Sequence, residues 1–432
     1  MITEIKIENF KSLHDLTLDV GRFNILIGEN GSGKSNILEA ITLAAAAEAN
    51  KLDNEFLSSR GIRVTDPHFM RSAFSDQSKT LPIKITVNDI AENISNEYLL
   101  TNDNKPYSKW TFDKSMNDIN NTETDSSETS KNTKTTNTFI AFIKSQTSKK
   151  ISKIKNNEQR SKFEKALENT NDSSEKIFLL SIEVEEYFWS ENPQLLKYTD
   201  WKHETEDKIG LENFVIYSPE NTALRNLYKE GQIEPLGVNG EGLLKLLKII
   251  DGSSEPESLS KIGDLHEALK LFDWYQEIKI PNDLSESEDK VKITDKYLQE
   301  TFDQRSTNEG FLFVLFYIAL MVSDDTPKIF AIDNIDASLN PKLCSKLITE
   351  LIRLAKKYDK QVFVTTHNPA ILDGIDLGDD EQRLLVVSRN KQGHTRYKRI
   401  HLEDKPKSSS GEPVKLSEAF LRGYLGGLPK GF

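Results

Sequence analysis

The chain opens on two alternating runs. ITEIKIENF at 2–10 and LTLDV at 16–20 place apolar side chains at every second position, the period of a half-buried strand. FNILIG at 23–28 predicts a third strand, and SNILEAITLAAAAEA at 35–49, rich in alanine and leucine, predicts a helix. LPIKITV at 81–87 predicts another strand. The pattern then lapses: residues 101–137 are mostly Asn, Ser, Thr, Lys and Asp. So few large apolar groups cannot offset the entropy of ordering, so this stretch is expected to be a mobile surface insertion. A helix is expected over 138–168, where Phe139, Ile140, Phe142, Ile143, Ile151, Ile154, Phe163 and Leu167 can form one stripe.

Order resumes at ENFVIYSPE, 212–220, a strand that stops at Pro219. Helical patterns then fill most of 222–300, including GEGLLKLLKII and HEALKLFDWYQEI. FLFVLFYIALMV at 311–322 is too short to cross a bilayer and reads as a buried helix. A strand at 328–332, a helix at 341–357 and a strand at 361–365 follow. The strand pair RLLVVSR and TRYKRIHL and a helix near SEAFLRGYL come last. No internal repeat is evident, and the sum is an α/β protein.

Composition narrows the classes. The 432 residues carry a formal net charge of −12, so any contact with nucleic acid needs a local basic island. The single cysteine, Cys344, excludes a disulfide framework and a cysteine zinc site. It sits in the helical pattern LCSKLITELI and is expected to be buried. The charged, alternating N-terminus is unlike a signal peptide, and the expected location is the cytoplasm, with no membrane contact.

The strongest chemical signal is GENGSGKS at 28–35, between a strand and a helix. Its pattern is that of a phosphate-cradling loop: glycines let backbone N–H groups turn inward, and the helix start adds partial positive charge. Gly28, Asn30, Gly31, Gly33 and Asn36 are the candidate cradle. Lys34 adds a full positive charge, and Ser35 offers a hydroxyl to Mg²⁺. Such a site needs a carboxylate at a neighbouring strand end, and KIFAID supplies Asp333. QVFVTTHNP places His367 at the mouth of the next strand, where an N–H can meet developing phosphate charge.

These pieces, in this order around a long interruption, resemble the ABC-type ATPases of the SMC and RecF-like branch. That branch includes overcoming-lysogenization-defect nucleases and AAA-family ATPase subunits of bacterial antiphage systems. The resemblance implies an ATPase head, a mixed sheet flanked by helices, in two parts at 1–100 and 301–432. Between them it leaves an insertion at 101–210, low-complexity and then helical, and a helical lobe at 211–300. It implies ATP and Mg²⁺ as ligands. It places Lys11, in IKIENFKSL, where a basic residue approaches the nucleotide, and His367 on the switch histidine. RSTNEGFLFVL matches the signature loop with Asn308 at its serine position, followed by Gly310, and DASLNP matches the loop along the dimer interface. The glutamine loop stays open between Gln77 and the pair Glu220 and Asn221. Two copies are then expected to sandwich ATP, each phosphate loop closed by the partner's 308–310 segment, as a dimer or higher oligomer.

Relatives commonly place a glutamate after the magnesium aspartate, and here that position is Asn334. An amide positions water but accepts no proton at neutral pH, and general-base help is typically worth about a hundred- to ten-thousand-fold. Slow hydrolysis is therefore expected, unless Asp336 supplies the carboxylate. Between 144 and 165 the insertion carries eight Lys or Arg against two acidic residues. That island reads either as an arm for DNA or RNA phosphates or as a solvated helix face. Only 65 residues follow His367, so a built-in nuclease is not expected, and a separate effector, such as a nuclease, is. The leading expectation is a slow, dimerising ATPase serving such an effector in antiphage defence. The alternatives are a RecF-like DNA repair ATPase and a nucleotide-binding scaffold that does not hydrolyse ATP.

Overall fold

The computed structural model describes residues 1–105, 108–118, 151, 154, 157–168, 180, 184, 210–226, 236–252, 256–280, 291–406 and 414–428. They belong to two compact units, one of Met1–Ile119 with Ile209–Phe432, the other of Asn120–Lys208. The first begins with β1 (Glu4–Phe10), β2 (Leu13–Asp19), β3 (Phe23–Ile27), α1 (Lys34–Glu48), the short α2 (Asn54–Ser59) and α3 (Pro67–Met70), then β4 (Ile83–Asp89), β5 (Ile94–Thr101) and β6 (Thr111–Asp118). The second unit contributes α4 (Asn157–Glu168). The first then resumes with β7 (Ile216–Tyr217), α5 (Asn221–Asn226), α6 (Leu243–Asp251), α7 (Pro256–Leu269), β8 (Tyr275–Lys279), β9 (Lys292–Asp295) and β10 (Phe302–Asp303). It ends with α8 (Glu309–Val322), β11 (Ile329–Ile332), α9 (Pro341–Lys357), β12 (Gln361–Thr366), β13 (Gln382–Arg389), β14 (Thr395–Ile400) and α10 (Leu416–Leu421).

Two sheets enclose α1. A five-stranded antiparallel sheet runs β2-β1-β4-β5-β6, and a six-stranded sheet runs β14-β13-β3-β12-β11-β7, parallel except for β14. Alternation on β3 sends Leu26 into the core around α1, while Ile25 and Ile27 join the core on the opposite face. Burial from both sides explains the alanines of α1: Ala44 to Ala47 let both sheets approach closely, and all four are at most 2% exposed. On the other face lies α8, whose residues from Phe311 to Val322 are all buried, as its apolar run predicts. The helix α9 is amphipathic and turns Leu347, Leu351 and Cys344 inward.

Three expectations change. Residues 111–118 are not insertion but the edge strand β6, paired with β5 from Ile94↔Asp118 to Thr101↔Thr111. Its backbone ladder and the 2.6 Å ion pair of Lys114 with Glu48 hold it, which a composition argument about apolar burial does not register. Of the rest of the expected 101–137 insertion, Thr101 ends β5, and 102–105 and 108–110 are described outside any strand. Residues 106–107 and 119–137, and the expected 138–168 helix apart from 151, 154 and 157–168, lie outside the described residues. Within the expected helical stretch and just beyond it, Tyr275–Lys279, Lys292–Asp295 and Phe302–Asp303 are not helical but form the antiparallel sheet β10-β9-β8. A register shift between Tyr275 and Glu277 breaks the alternation, leaving buried Tyr275 and Ile278 three apart, a spacing that imitates a helix. The strand expected over 212–220 shrinks to β7, preceded by a 3-10 turn at Leu211–Asn213.

Candidate functional site

The 28–35 loop links β3 to α1, as its sequence context demands. Two of its glycines are required by space as well as by conformation. A Cβ on Gly28 would lie 2.0 Å from the Val387 carbonyl oxygen, and one on Gly33 (φ 110°) would lie 2.2 Å from Thr395 Oγ1. Asn30 and Gly31 form the exposed crown, while Ser32 and Lys34 are buried. Lys34 Nζ donates to the carbonyls of Gly28 (2.8 Å) and Glu29 (3.1 Å). Burial pulls its pKa down from 10.5 to about 8, against the opposing charges of Asp333, Asp336 and Glu29. Ser32 Oγ, 1% exposed, has no hydrogen-bond partner among the described residues.

Asp333 closes the site from the end of β11. Ser35 Oγ lies 3.4 and 3.3 Å from its two carboxylate oxygens, and Thr365 Oγ1 donates to Oδ1. The same threonine oxygen accepts the Asn334 N–H at 2.9 Å. Asn334 is exposed and left-handed, at φ 56°, a conformation asparagine tolerates better than most residues. Asp336 does not swing free. Its Oδ1 accepts from Thr366 Oγ1 at 2.6 Å and from the His367 N–H at 3.3 Å. Burial and then the Lys34 charge lower the His367 pKa from 6.5, against Asp336 and Asp333, so its ring is neutral at pH 7 and donates one N–H.

The structure thus gathers Gly28, Gly33, Lys34, Ser35, Asp333, Asn334, Asp336 and His367 at the ends of β3, β11 and β12. Others sit elsewhere. Lys11 is held by Glu39 of α1, which Arg63 also engages at 2.5 Å, and no hydrogen bond joins Lys11 to the loop. Asn308 caps α8, its Oδ1 accepting the Phe311 N–H at 2.8 Å. Beside it, Ser338 donates to Glu309 at 2.6 Å. Among the described residues no hydrogen bond takes Asn308 or Gly310 to the 28–35 loop of the same chain. Gln77 is exposed in the turn before β4, and Glu220 is anchored through its N–H to Asn239 O at 2.8 Å. Of the basic island, 144–156 lies outside the described residues except 151 and 154.

Sequence reasoning missed the buttress behind the loop. Thr395 Oγ1 bonds Ser12 Oγ (2.7 Å) and the Ser32 carbonyl (2.8 Å), and Asn36 Nδ2 donates to Ser12 Oγ at 2.8 Å. Thr365 and Thr366 were visible only as the end of QVFVTT. Alternation sends one to Asp333 and the other to Asp336.

A phosphate loop on a parallel sheet, faced by a strand-end aspartate and a histidine one strand over, defines a P-loop ATPase of the ABC type. A family model described as an AAA ATPase domain matches residues 1–372, and the chain belongs to that family. The fold is that of an SMC head. The structure of an Smc head bound to the C-winged helix domain of ScpA superposes with a TM-score of 0.51 at 13% identity, covering 93% of this chain and 98% of that one. An Smc head from Pyrococcus furiosus gives a TM-score of 0.45 at 14% identity, covering 93% and 96%. In sequence, the DNA replication and repair protein RecF of Bacillus cytotoxicus is 38% identical over 55 residues, 12% of this chain and 15% of that protein. RecF of Pasteurella multocida is 42% identical over 74 residues, 17% and 20% of the two chains. The chain therefore spans a fifth or less of these relatives' length. Among the described residues no helix is long and apolar enough to cross a membrane.

Proposed function

We propose that this chain binds Mg-ATP in the 28–35 loop, closes on a second copy around it, hydrolyses it slowly, and signals nucleotide state to a separately encoded effector. The observation that carries this is Ser35 Oγ within 3.4 Å of the Asp333 carboxylate, next to a desolvated lysine. The donor set fits: a hydroxyl and a carboxylate are hard oxygen ligands for Mg²⁺, and the ammonium and inward N–H groups suit a triphosphate. Ser35 and Asp333 would hold the ion, which neutralises phosphate charge when bound.

The remaining roles belong to side chains. Lys34 exchanges its two carbonyl acceptors for phosphate oxygens. Asn334 orients the attacking water through its amide and removes no proton from it, which is why slow turnover is proposed. Asp336 is occupied by Thr366 and His367, and so is a poor substitute base. Neutral His367 donates an N–H toward the transferred phosphoryl group. Asn308 uses only Oδ1 to cap its helix, which leaves Nδ2, with the Gly310 N–H, to reach the nucleotide of a second copy.

Calorimetry tests the first step: Mg-dependent ATP uptake is expected for the native chain and is expected to vanish in Lys34→Ala. Absence of uptake by the native chain overturns the reading. For closure, Asn308→Asp keeps a helix cap but sets a carboxylate against phosphate. Its melting temperature is expected to stay put while ATP-dependent dimerisation in sedimentation is lost. An unchanged dimer would remove Asn308 from the interface. The antiphage setting rests on the family resemblance and is tested by phage challenge of cells carrying the gene and its neighbours.

A further inference from the structure

A cavity of about 680 Å³ opens where the start of α9, the 3-10 turn Pro369–Gly374 and α10 meet. Four lysines line it, Lys342, Lys346, Lys405 and Lys415, and none has an ion-pair partner for its ammonium among the described residues. Among the described residues the one acid in the wall, Asp373, is taken by the N–H (3.0 Å) and hydroxyl (2.7 Å) of Ser417. The floor is aliphatic, from Leu372, Ile375 and Leu416, and Leu421 at the rim is 65% exposed. On a chain of net charge −12 this is an isolated cationic ring around an apolar floor. Among the described residues the lining contains no arginine and no aromatic ring, the groups that fork onto phosphate and stack on bases, so nucleic acid gains little from it. A carboxylate-rich chain with aliphatic side chains satisfies both rim and floor.

The cavity wall is continuous with the nucleotide site. Asn368 lines it, and its N–H bonds Thr366 Oγ1 at 3.0 Å, which donates on to Asp336 Oδ1 at 2.6 Å. Pro341 and Lys342 follow directly on the segment that begins at Asp333.

We propose that this cavity is the docking site for an acidic, leucine-bearing segment of a partner protein, placed so that occupancy and nucleotide state influence each other through Asn368 and Thr366. The proposal rests on the reading of the chain as an ATPase serving a separate partner, but docking itself requires no turnover. The probe is a short fluorescein-labelled peptide of glutamates with two leucines one helical turn apart, titrated by anisotropy against the full chain. Saturable binding is expected, weakened about tenfold or more by Lys342→Glu with Lys346→Glu, and independently by Lys405→Glu with Lys415→Glu. Basal phosphate release should be unchanged in both variants. A leucine-free peptide is expected to bind about tenfold less well, as is native peptide to Leu421→Ser. No binding, equal binding of the leucine-free peptide or of single-stranded DNA, or affinity indifferent to both charge reversals overturns the proposal. Peptide binding that persists in Lys34→Ala without nucleotide uptake separates docking from the ATPase reading.

Discussion

Lys34 is 6% exposed, and burial brings its pKa from 10.5 to about 8. Unfolded, the same ammonium titrates near 10.5, so between about pH 8 and 10.5 the unfolded chain binds more protons than the folded one. The nucleotide-free fold therefore gains stability as pH rises through that window, and the loop carries its charge at a cost below it. Phosphate oxygens favour the ammonium, so binding above pH 8 must recapture a proton. We expect Mg-ATP affinity to be level just below pH 8 and to fall by up to about tenfold per pH unit above it. Calorimetry in buffers of different ionisation enthalpy should register the proton uptake, and Lys34→Gln should abolish both effects. Asn334 carries a second residue-scale expectation. Its φ of 56° makes Asn334→Glu cost about 1–2 kcal/mol in a left-handed position, while a carboxylate there should raise steady-state phosphate release. Asn334→Gly should melt near the native temperature with no gain in rate. A Glu variant that turns over no faster would show that position 334 does not face the attacking water. IFAIDNID reveals the strand, its aspartate and the missing glutamate, but not the backbone turn at Asn334, because alternation says nothing of φ once the strand ends.

At the scale of elements, the phosphate loop is held from behind by β14 and the β1–β2 turn. Thr395 Oγ1 is the hub, and Thr395→Val would leave Ser12 Oγ short of a partner and the Ser32 carbonyl unpaired in a buried place. That should cost about 1–3 kcal/mol in chemical denaturation and weaken Mg-ATP binding, whereas Thr395→Ser should keep both near native values. A Val variant of native stability would mean that water replaces the hydroxyl. The contact spans 363 residues, and nothing in TRYKRI marks its first residue as different from an ordinary strand position, so the buttress was illegible. The strand-loop-helix unit it supports was legible, because its signals are local: alternation, glycine, then a helix former. The same contrast separates α8, read correctly from a continuous apolar run, from β8, hidden by a bulge, and β6, held by ladder bonds and Lys114 rather than by burial. Patterns report what a segment buries, and miss what it only hydrogen-bonds.

For the whole molecule, the question is which function belongs to which unit. Every residue of the candidate nucleotide site lies in Met1–Ile119 or Ile209–Phe432, and the described residues of the cores around α1 and α8 come from these segments. The described core of the other unit is small: Ile151, Ile154, Phe163, Leu180 and Val184, with Ala166 and Leu167 packed against it. We therefore expect replacement of 120–208 by a flexible Gly-Ser linker to leave Mg-ATP uptake and the main melting transition intact. The excised segment contains the basic island at 144–165, the strongest local cationic feature of an acidic chain. If that island contacts phosphates, gel-shift binding of DNA at low salt should disappear in the linker variant, and in the native chain should fall steeply as salt rises. Reversing Lys149, Lys150 and Lys153 should reproduce the loss with the unit still present. If uptake and melting also collapse on excision, the head depends on the inserted unit for its own folding, and the insertion is structural rather than an appended arm.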